Sequence, residues 1–194
     1  TSGVGLVPPG RELDDRRIEA GDAVVVTGPV GDHGATVLAA RHDVEARTLA
    51  SDVAPLGGLV EAAFASGAAL RSLHDPTRGG LATVAHEVAV RAGLRVVLDE
   101  DAIPIRPEVA AVGDLLGVDP LYLACEGRAV LFVAAADADR LVAALRAHPL
   151  GRDAAVIGAV DPRPDGRLPL ILRTRFGGER PLDLLTGMDL PRIC

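Results

Sequence analysis

The chain has 194 residues, 48% of them hydrophobic, and 20 basic against 27 acidic side chains give a net charge of −7. Such a length and apolar fraction bury a real core and exclude a disordered chain. The acidic balance speaks against a nucleic-acid binder, no apolar run reaches the roughly 18–20 residues of a membrane span, and two cysteines make no disulfide scaffold, so a reducing cytoplasm is the expected compartment. All basic residues are Arg, so lysine chemistry is absent from these residues, and aromatics are limited to Phe64, Tyr122, Phe132 and Phe176. The chain begins Thr-Ser-Gly and its only Met is Met188, from which an upstream part is expected.

In chain order, Gly3 to Val7 reads as a short strand, and residues 1–20 as the remnant of an upstream domain plus a linker. A second unit is expected over 21–176 and a tail over 177–194. The β-branched run Ala23-Val24-Val25-Val26 between Gly21 and Gly28 predicts a strand buried on both faces. Gly31-Asp32-His33-Gly34 turns the chain into a helix to about Arg41, with Asp32 expected as its cap; His33 suits titration or ligand contact as an alternative. Helices are predicted over Leu56–Ala65, Leu81–Ala92, where Leu81, Val84, Ala85 and Val88 share a face, and Pro107–Leu116, with Pro at its start. Strands are predicted over Ala69–His74, Leu94–Leu98 and Ala129–Val133. Asp137 is the expected cap of a helix carrying Leu141, Val142 and Leu145. Strands Val156–Val160 and Leu168–Leu172 flank Asp161-Pro162-Arg163-Pro164-Asp165-Gly166, whose turn chemistry predicts a hairpin. Gly177 onward reads as a strand remnant and an irregular tail. Strands alternating with helices predict a layered α/β domain with a mixed β-sheet flanked by helices, plus an extended C-terminal tail.

Four stretches carry side chains suited to chemistry. His74-Asp75-Pro76-Thr77-Arg78-Gly79-Gly80 joins a strand to a helix. Its glycines permit close approach, and a helix start with free N–H groups suits a phosphate, with Arg78 adding charge. The structural alternative is a plain turn capped by Asp75 and Thr77. Gly31 to Gly34 forms the second stretch. In Cys125-Glu126-Gly127-Arg128, Glu126 is a candidate general base, against a carboxylate that is solvated or paired with Arg128, and Cys125 reads as a small buried hydrophobe. The last stretch is Leu190-Pro191-Arg192-Ile193-Cys194, where a terminal thiol on an extended tail suits nucleophilic work. An accidental terminal cysteine, or a disulfide with Cys125, is the alternative.

Together, His74–Gly80, Cys125–Arg128 and the terminal Leu-Pro-Arg-Ile-Cys resemble the HypE family of hydrogenase maturation factors, within the superfamily of aminoimidazole ribonucleotide synthase and selenophosphate synthetase. The stretches 28–34, 52–55, 103–108, 148–153 and 177–187 agree, so the resemblance covers the whole chain. It implies the C-terminal domain fold of aminoimidazole ribonucleotide synthase. It also implies a reaction in which the carbamoyltransferase HypF loads a carbamoyl group onto Cys194. ATP with Mg2+ then activates the carbamoyl oxygen, Glu126 removes protons, and the resulting thiocyanate yields cyanide to iron on the HypC–HypD scaffold. Asp75, Thr77, Arg78, Gly79 and Gly80 are the expected nucleotide- or phosphate-binding residues, and no metal ligand is expected among the residues present. Family members carry a longer N-terminal part with metal-binding aspartates, a catalytic lysine and a homodimer interface. The expectation is therefore a cytoplasmic C-terminal domain that accepts the carbamoyl group but does not dehydrate it alone. Cys125 stands where the family usually has Asn. The competing expectations are another ATP-dependent enzyme of the superfamily, which has no use for a terminal Cys, and a non-catalytic docking module.

Overall fold

Ala23, Val24, Val25 and Val26 are buried at every position. In a strand, successive side chains point to opposite faces, so such a run needs cover on both sides. A computed structural model, describing residues 4–184, shows how that cover is supplied. In chain order it contains β1 (Ala23–Val26), α1 (Asp32–Arg41), α2 (Gly57–Ala65), β2 (Leu70–His74), α3 (Gly80–Ala92), β3 (Arg95–Asp99), α4 (Pro107–Leu116), β4 (Val130–Val133), α5 (Ala138–Arg146), β5 (Ala155–Asp161), β6 (Leu170–Arg173) and β7 (Glu179–Pro181). The strands form one seven-stranded sheet ordered β2-β4-β1-β5-β3-β6-β7. Among the described residues only the β3–β6 pairing is parallel, so the sheet is mixed, as expected.

On one face Val24, Val26, Val130 and Phe132 meet Leu81, Ala85 and Val88 of α3. On the other, Ala23, Val25, Leu131 and Val133 meet Leu59 and Ala63 of α2 and Leu141, Val142 and Leu145 of α5. Each fully buried Leu or Val contributes about 1.5–3 kcal/mol. A third cluster holds α1 against α4 through Ala35, Leu38, Val109 and Val112, closed by Leu123. Among the described residues no helix is long and apolar enough to cross a membrane.

Several expectations fail locally. Residues 4–7 form no strand, and Val4 and Leu6 are exposed. The stretch preceding Gly21 is nevertheless docked on the sheet from Asp14 onward. Asp14 N–H donates to the Arg71 carbonyl at 3.0 Å, and buried Asp15 accepts from Ser72, from His74 Nε2 at 2.7 Å and from Arg91 Nε at 2.5 Å. These three donors outweigh burial and hold the Asp15 carboxyl below its ordinary range. Asp137 sits at the start of α5 but does not cap it, because its carboxylate accepts from Ala69 N–H at 2.8 Å and from Arg140 at 2.6 Å.

The predicted hairpin between the strands now labelled β5 and β6 is also absent. Both sides of β5 are taken, by β1 and by β3, and β6 lies beyond β3 in parallel with it. Gly158 makes room for this arrangement, since a Cβ there would stand 2.1 Å from the Val97 carbonyl oxygen of β3. The hairpin falls one strand later: Thr174–Gly178 turns β6 back into antiparallel β7, with Gly177 at φ +81°. The strand remnant after Gly177 is thus present, whereas the rest of the expected tail, including Cys194, lies outside the described residues.

Candidate functional site

Both β1 and β2 run antiparallel to β4, and Val26 and His74 both lie opposite Val130. The carboxyl ends of β1 and β2 and the amino end of β4 therefore share one border of the sheet. The loops 27–31, 75–79 and 123–129 emerge there together.

The 75–80 turn is shaped by two left-handed glycines, Gly79 at φ +71° and Gly80 at φ +63°. A Cβ on Gly80 would stand 2.6 Å from the carbonyl oxygens of Leu121 and Leu123, so the start of α3 is pressed against that backbone and only Gly fits. The Pro76 carbonyl accepts Cys125 N–H at 3.0 Å, which joins the turn to the 125–128 stretch. Gly79 occupies the cap position without a side-chain cap bond, so neither Asp75 nor Thr77 caps α3 as the structural alternative required. Asp75 and Arg78 are exposed and Thr77 half-buried, and the first-turn N–H groups of α3, as at any helix start, have no partner within the helix.

Cys125 is 0 % exposed, and its sulfur accepts Gly31 N–H at 3.2 Å. Burial pushes its thiol up to about 12, so it stays protonated and inert. Native protein treated with iodoacetamide at pH 8 is expected to leave the Cys125 peptide unmodified, and urea to expose it; peptide mass measurement distinguishes the two, and labelling of the native protein at Cys125 would contradict this packing. Cys125 is a free thiol in the structure, and the other cysteine, Cys194, lies outside the described residues.

Glu126 is half-buried, and its carboxylate makes no hydrogen bond or ion pair with another described residue. Arg128 is not its partner. That guanidinium, 10 % exposed, donates to the carbonyls of Pro29 at 3.1 Å, Leu150 at 3.3 Å and Gly127 at 3.4 Å. It also lies 3.7 Å from Asp32 Oδ2 and 3.7 Å from Asp52 Oδ2. Gly28 supports it from below, where a Cβ would come within 3.1 Å of the guanidinium.

Asp32 and Asp52 are the buried carboxylates of the cluster, 2 % and 0 % exposed at their side chains. Asp32 does not cap α1: Gly31 holds the cap position at φ +86°, and Asp32 turns to Arg106 Nε at 3.1 Å and to Arg128. Burial raises the Asp32 carboxyl above its ordinary range, partly offset by Arg106. Asp52 Oδ1 accepts Glu126 N–H at 3.0 Å, while Asp52 Oδ2 and Asp32 Oδ1 have no hydrogen-bond partner. His33 Nδ1 meets Ser51 Oγ at 2.8 Å, fastening α1 to the 51–55 stretch. Two carboxylates already facing one guanidinium are a poor donor set for Mg2+. Among the described residues no group of three or more His, Cys, Asp or Glu side chains suits a metal ion.

The turn 75–80 and Glu126 thus stand side by side, whereas Cys194 falls outside the described residues. Asp52 lies in the 52–55 stretch that shares the family resemblance, but its role and the true partners of Arg128 escaped the sequence reading. Asp52 has no helix or strand around it and its contact, Glu126, is 74 positions away, so no local pattern signals it.

Residues 19–171 match the family model of the AIR synthase related protein, C-terminal domain. Across its full length the chain is 48% identical to the carbamoyl dehydratase HypE of Rhodobacter capsulatus and 49% identical to that of Cupriavidus necator, spanning 57% and 55% of them. It therefore covers little more than half the length of these curated relatives. The crystal structure of E. coli HypE, a hydrogenase maturation protein, superimposes with a TM-score of 0.91 at 39% identity over 98% of this chain and 58% of that one. A HypE in complex with ATP gives 0.87 at 36% identity over 94% and 55%, and a HypE–HypF complex 0.83 at 35% over 90% and 56%.

Proposed function

Because this chain belongs to the AIR synthase related protein, C-terminal domain family, and is similar over its whole length to carbamoyl dehydratases of hydrogenase maturation, we propose that it is the C-terminal, acceptor-bearing part of such a dehydratase. The observation that carries the reading is the meeting, at one sheet border, of a half-buried carboxylate, Glu126, that has no partner among the described residues, with a glycine-lined helix start that has no side-chain cap. A base beside a phosphate-type cradle suits a reaction that phosphorylates an oxygen and removes protons from a neighbouring nitrogen.

In this reading HypF transfers a carbamoyl group derived from carbamoyl phosphate to Cys194: the sulfur–carbon bond forms as the bond from the carbamoyl carbon to the donor's phosphate-type oxygen breaks, and the thiol proton is released. The carbamoyl oxygen attacks the γ-phosphorus of ATP, releasing ADP, and loss of one N–H proton leaves an imidate phosphate. Loss of the second N–H proton breaks the carbon–oxygen bond, expelling phosphate and leaving a thiocyanate on sulfur. Glu126 takes a proton from the nitrogen, and the first-turn N–H groups of α3, with Asp75, Thr77, Arg78, Gly79 and Gly80, line the departing phosphate. The nucleotide and any Mg2+ are held mainly by an upstream domain, which also forms the homodimer. No step here is routed through Mg2+, since Asp32 and Asp52 face Arg128. Cyanide then passes to iron on HypC–HypD, in the cytoplasm. A HypE structure bound to ATP and another bound to HypF support the nucleotide and partner assignments.

The test is the mass of the C-terminal peptide after incubation of this chain with HypF, carbamoyl phosphate and ATP, beside a full-length relative. A persistent carbamoyl-sized gain on Cys194 is expected here, and gain followed by loss of water in the relative. Loss of water from this chain alone would overturn the division of labour, and no gain while the relative is modified would remove the acceptor role.

A further inference from the structure

Glu126 can act as a base only if its short loop is held still, and among the described residues no hydrogen bond or ion pair holds its carboxylate. The fixing comes from a different part of the chain. Asp52 is fully buried at its side chain, and its Oδ1 accepts Glu126 N–H at 3.0 Å. Its main chain takes part too: a Cβ on Gly127 would stand 1.7 Å from the Asp52 carbonyl oxygen, so the two backbones are in direct contact. Asp52 Oδ2 faces Arg128 Nε at 3.7 Å, and Arg128 is in turn locked by Pro29, Leu150 and Asp32. The 51–55 stretch carrying Asp52 is itself pinned, by Ser51 on His33 at 2.8 Å.

We infer that Asp52 is a positioning residue for the Glu126 base: by receiving the Glu126 amide it sets the direction in which that carboxylate leaves the backbone. The inference rests on the reading of Glu126 above. Asp52 does not touch the reacting atoms, since its carboxylate is buried beneath the loop and occupied on one oxygen by the amide. The hydrogen bond requires an acceptor at Oδ1, not a negative charge, and that separates positioning from general electrostatic support.

The experiment uses the full-length protein, loaded by HypF with carbamoyl phosphate, and follows conversion of the carbamoyl adduct with ATP by mass. Three variants are compared: Asp52→Ala, Asp52→Asn and Glu126→Gln. Asp52→Ala is expected to slow dehydration about tenfold to a hundredfold, the scale of a misplaced catalytic group, with the KM for ATP and the rate of carbamoylation unchanged. It also speeds amide exchange at Glu126 while leaving β4 protected. Asp52→Asn keeps the acceptor and restores dehydration to within about threefold, the effect of losing a neighbouring charge but not the bond. Equal loss in Asn and Ala would overturn the inference, because charge would then be what matters. Should Asp52→Ala fail to fold, full loss in the folded Asn variant overturns it alone. Wild-type rates in both Asp52 variants with a dead Glu126→Gln would overturn the inference and leave the base in place. An active Glu126→Gln would remove the base reading itself.

Discussion

Replacing Gly127 by Ala is expected to lower the melting temperature by roughly 6–12 °C, corresponding to about 3 kcal/mol in a domain of this size. The added methyl would stand 1.7 Å from the Asp52 carbonyl oxygen, 2.8 Å from its carbon and 3.1 Å from Ala54 N. All three neighbours are backbone, so no rotamer change relieves the overlap. Relief requires the 51–55 stretch to move off the 125–128 loop, and that breaks the Glu126 N–H bond to Asp52 and opens the pocket around Arg128. Two controls separate crowding from conformational strain. Gly57, at the start of α2, has open space and is not left-handed, so Gly57→Ala is neutral or gains up to about 1 kcal/mol. Gly67 also has open space but sits at φ +69°, so Gly67→Ala loses about 1–2 kcal/mol from strain alone. Thermal unfolding of the three variants, read by circular dichroism, gives the ranking. A Gly127→Ala protein that melts with wild type would mean that the two loops are not packed as described, and dehydration measured on the same variant would then remain intact.

The elements of this domain were legible because each has a pattern that its environment rewards. β1 is a buried run, α3 shows a 3.6-residue stripe, and α4 opens on Pro107. What failed was partnership. The Asp161–Gly166 segment announces a reversal, but nothing in it says that β3, some sixty residues earlier in the chain, occupies the place beside β5. Asp32 and Asp137 stand where helix caps belong, and each is drawn off by a stronger remote partner, Arg106 with Arg128 in one case and Ala69 N–H with Arg140 in the other. The site divides in the same way. Asp75 to Gly80 and Glu126 could be singled out from glycine and carboxylate placement, whereas Asp52 and the guanidinium of Arg128 acquire meaning only once loops from four parts of the chain converge.

Removing the charge of Arg128 is expected to be the costliest side-chain change in this cluster. Arg128→Met keeps much of the volume but, among the described residues, leaves Asp52 with no cation and Asp32 with Arg106 alone. Uncompensated buried carboxylates of this kind cost about 3–5 kcal/mol at neutral pH. The penalty has a definite pH dependence. Burial already raises the Asp32 carboxyl above its ordinary range in the intact domain, and loss of the Arg128 charge moves it further above its unfolded value near ~3.9. A carboxyl raised on folding is tolerated while protonated and becomes destabilising as pH climbs through the unfolded value towards the folded one. The deficit of Arg128→Met relative to wild type is therefore smaller at about pH 4.5 than at about pH 7.5, as measured by urea unfolding at both. Adding Asp52→Asn removes one of the orphaned charges while preserving the acceptor for Glu126 N–H, so the double variant recovers part of the stability at the higher pH. A pH-independent deficit, or a double variant no more stable than the single one, would mean that Arg128 acts through its carbonyl contacts with Pro29 and Leu150 and not by neutralising the two aspartates. The distinction bears on the chemistry, because a guanidinium spent on Asp32 and Asp52 is unavailable to Glu126, and that is what leaves the Glu126 carboxylate without a partner among the described residues and open to the role of a base.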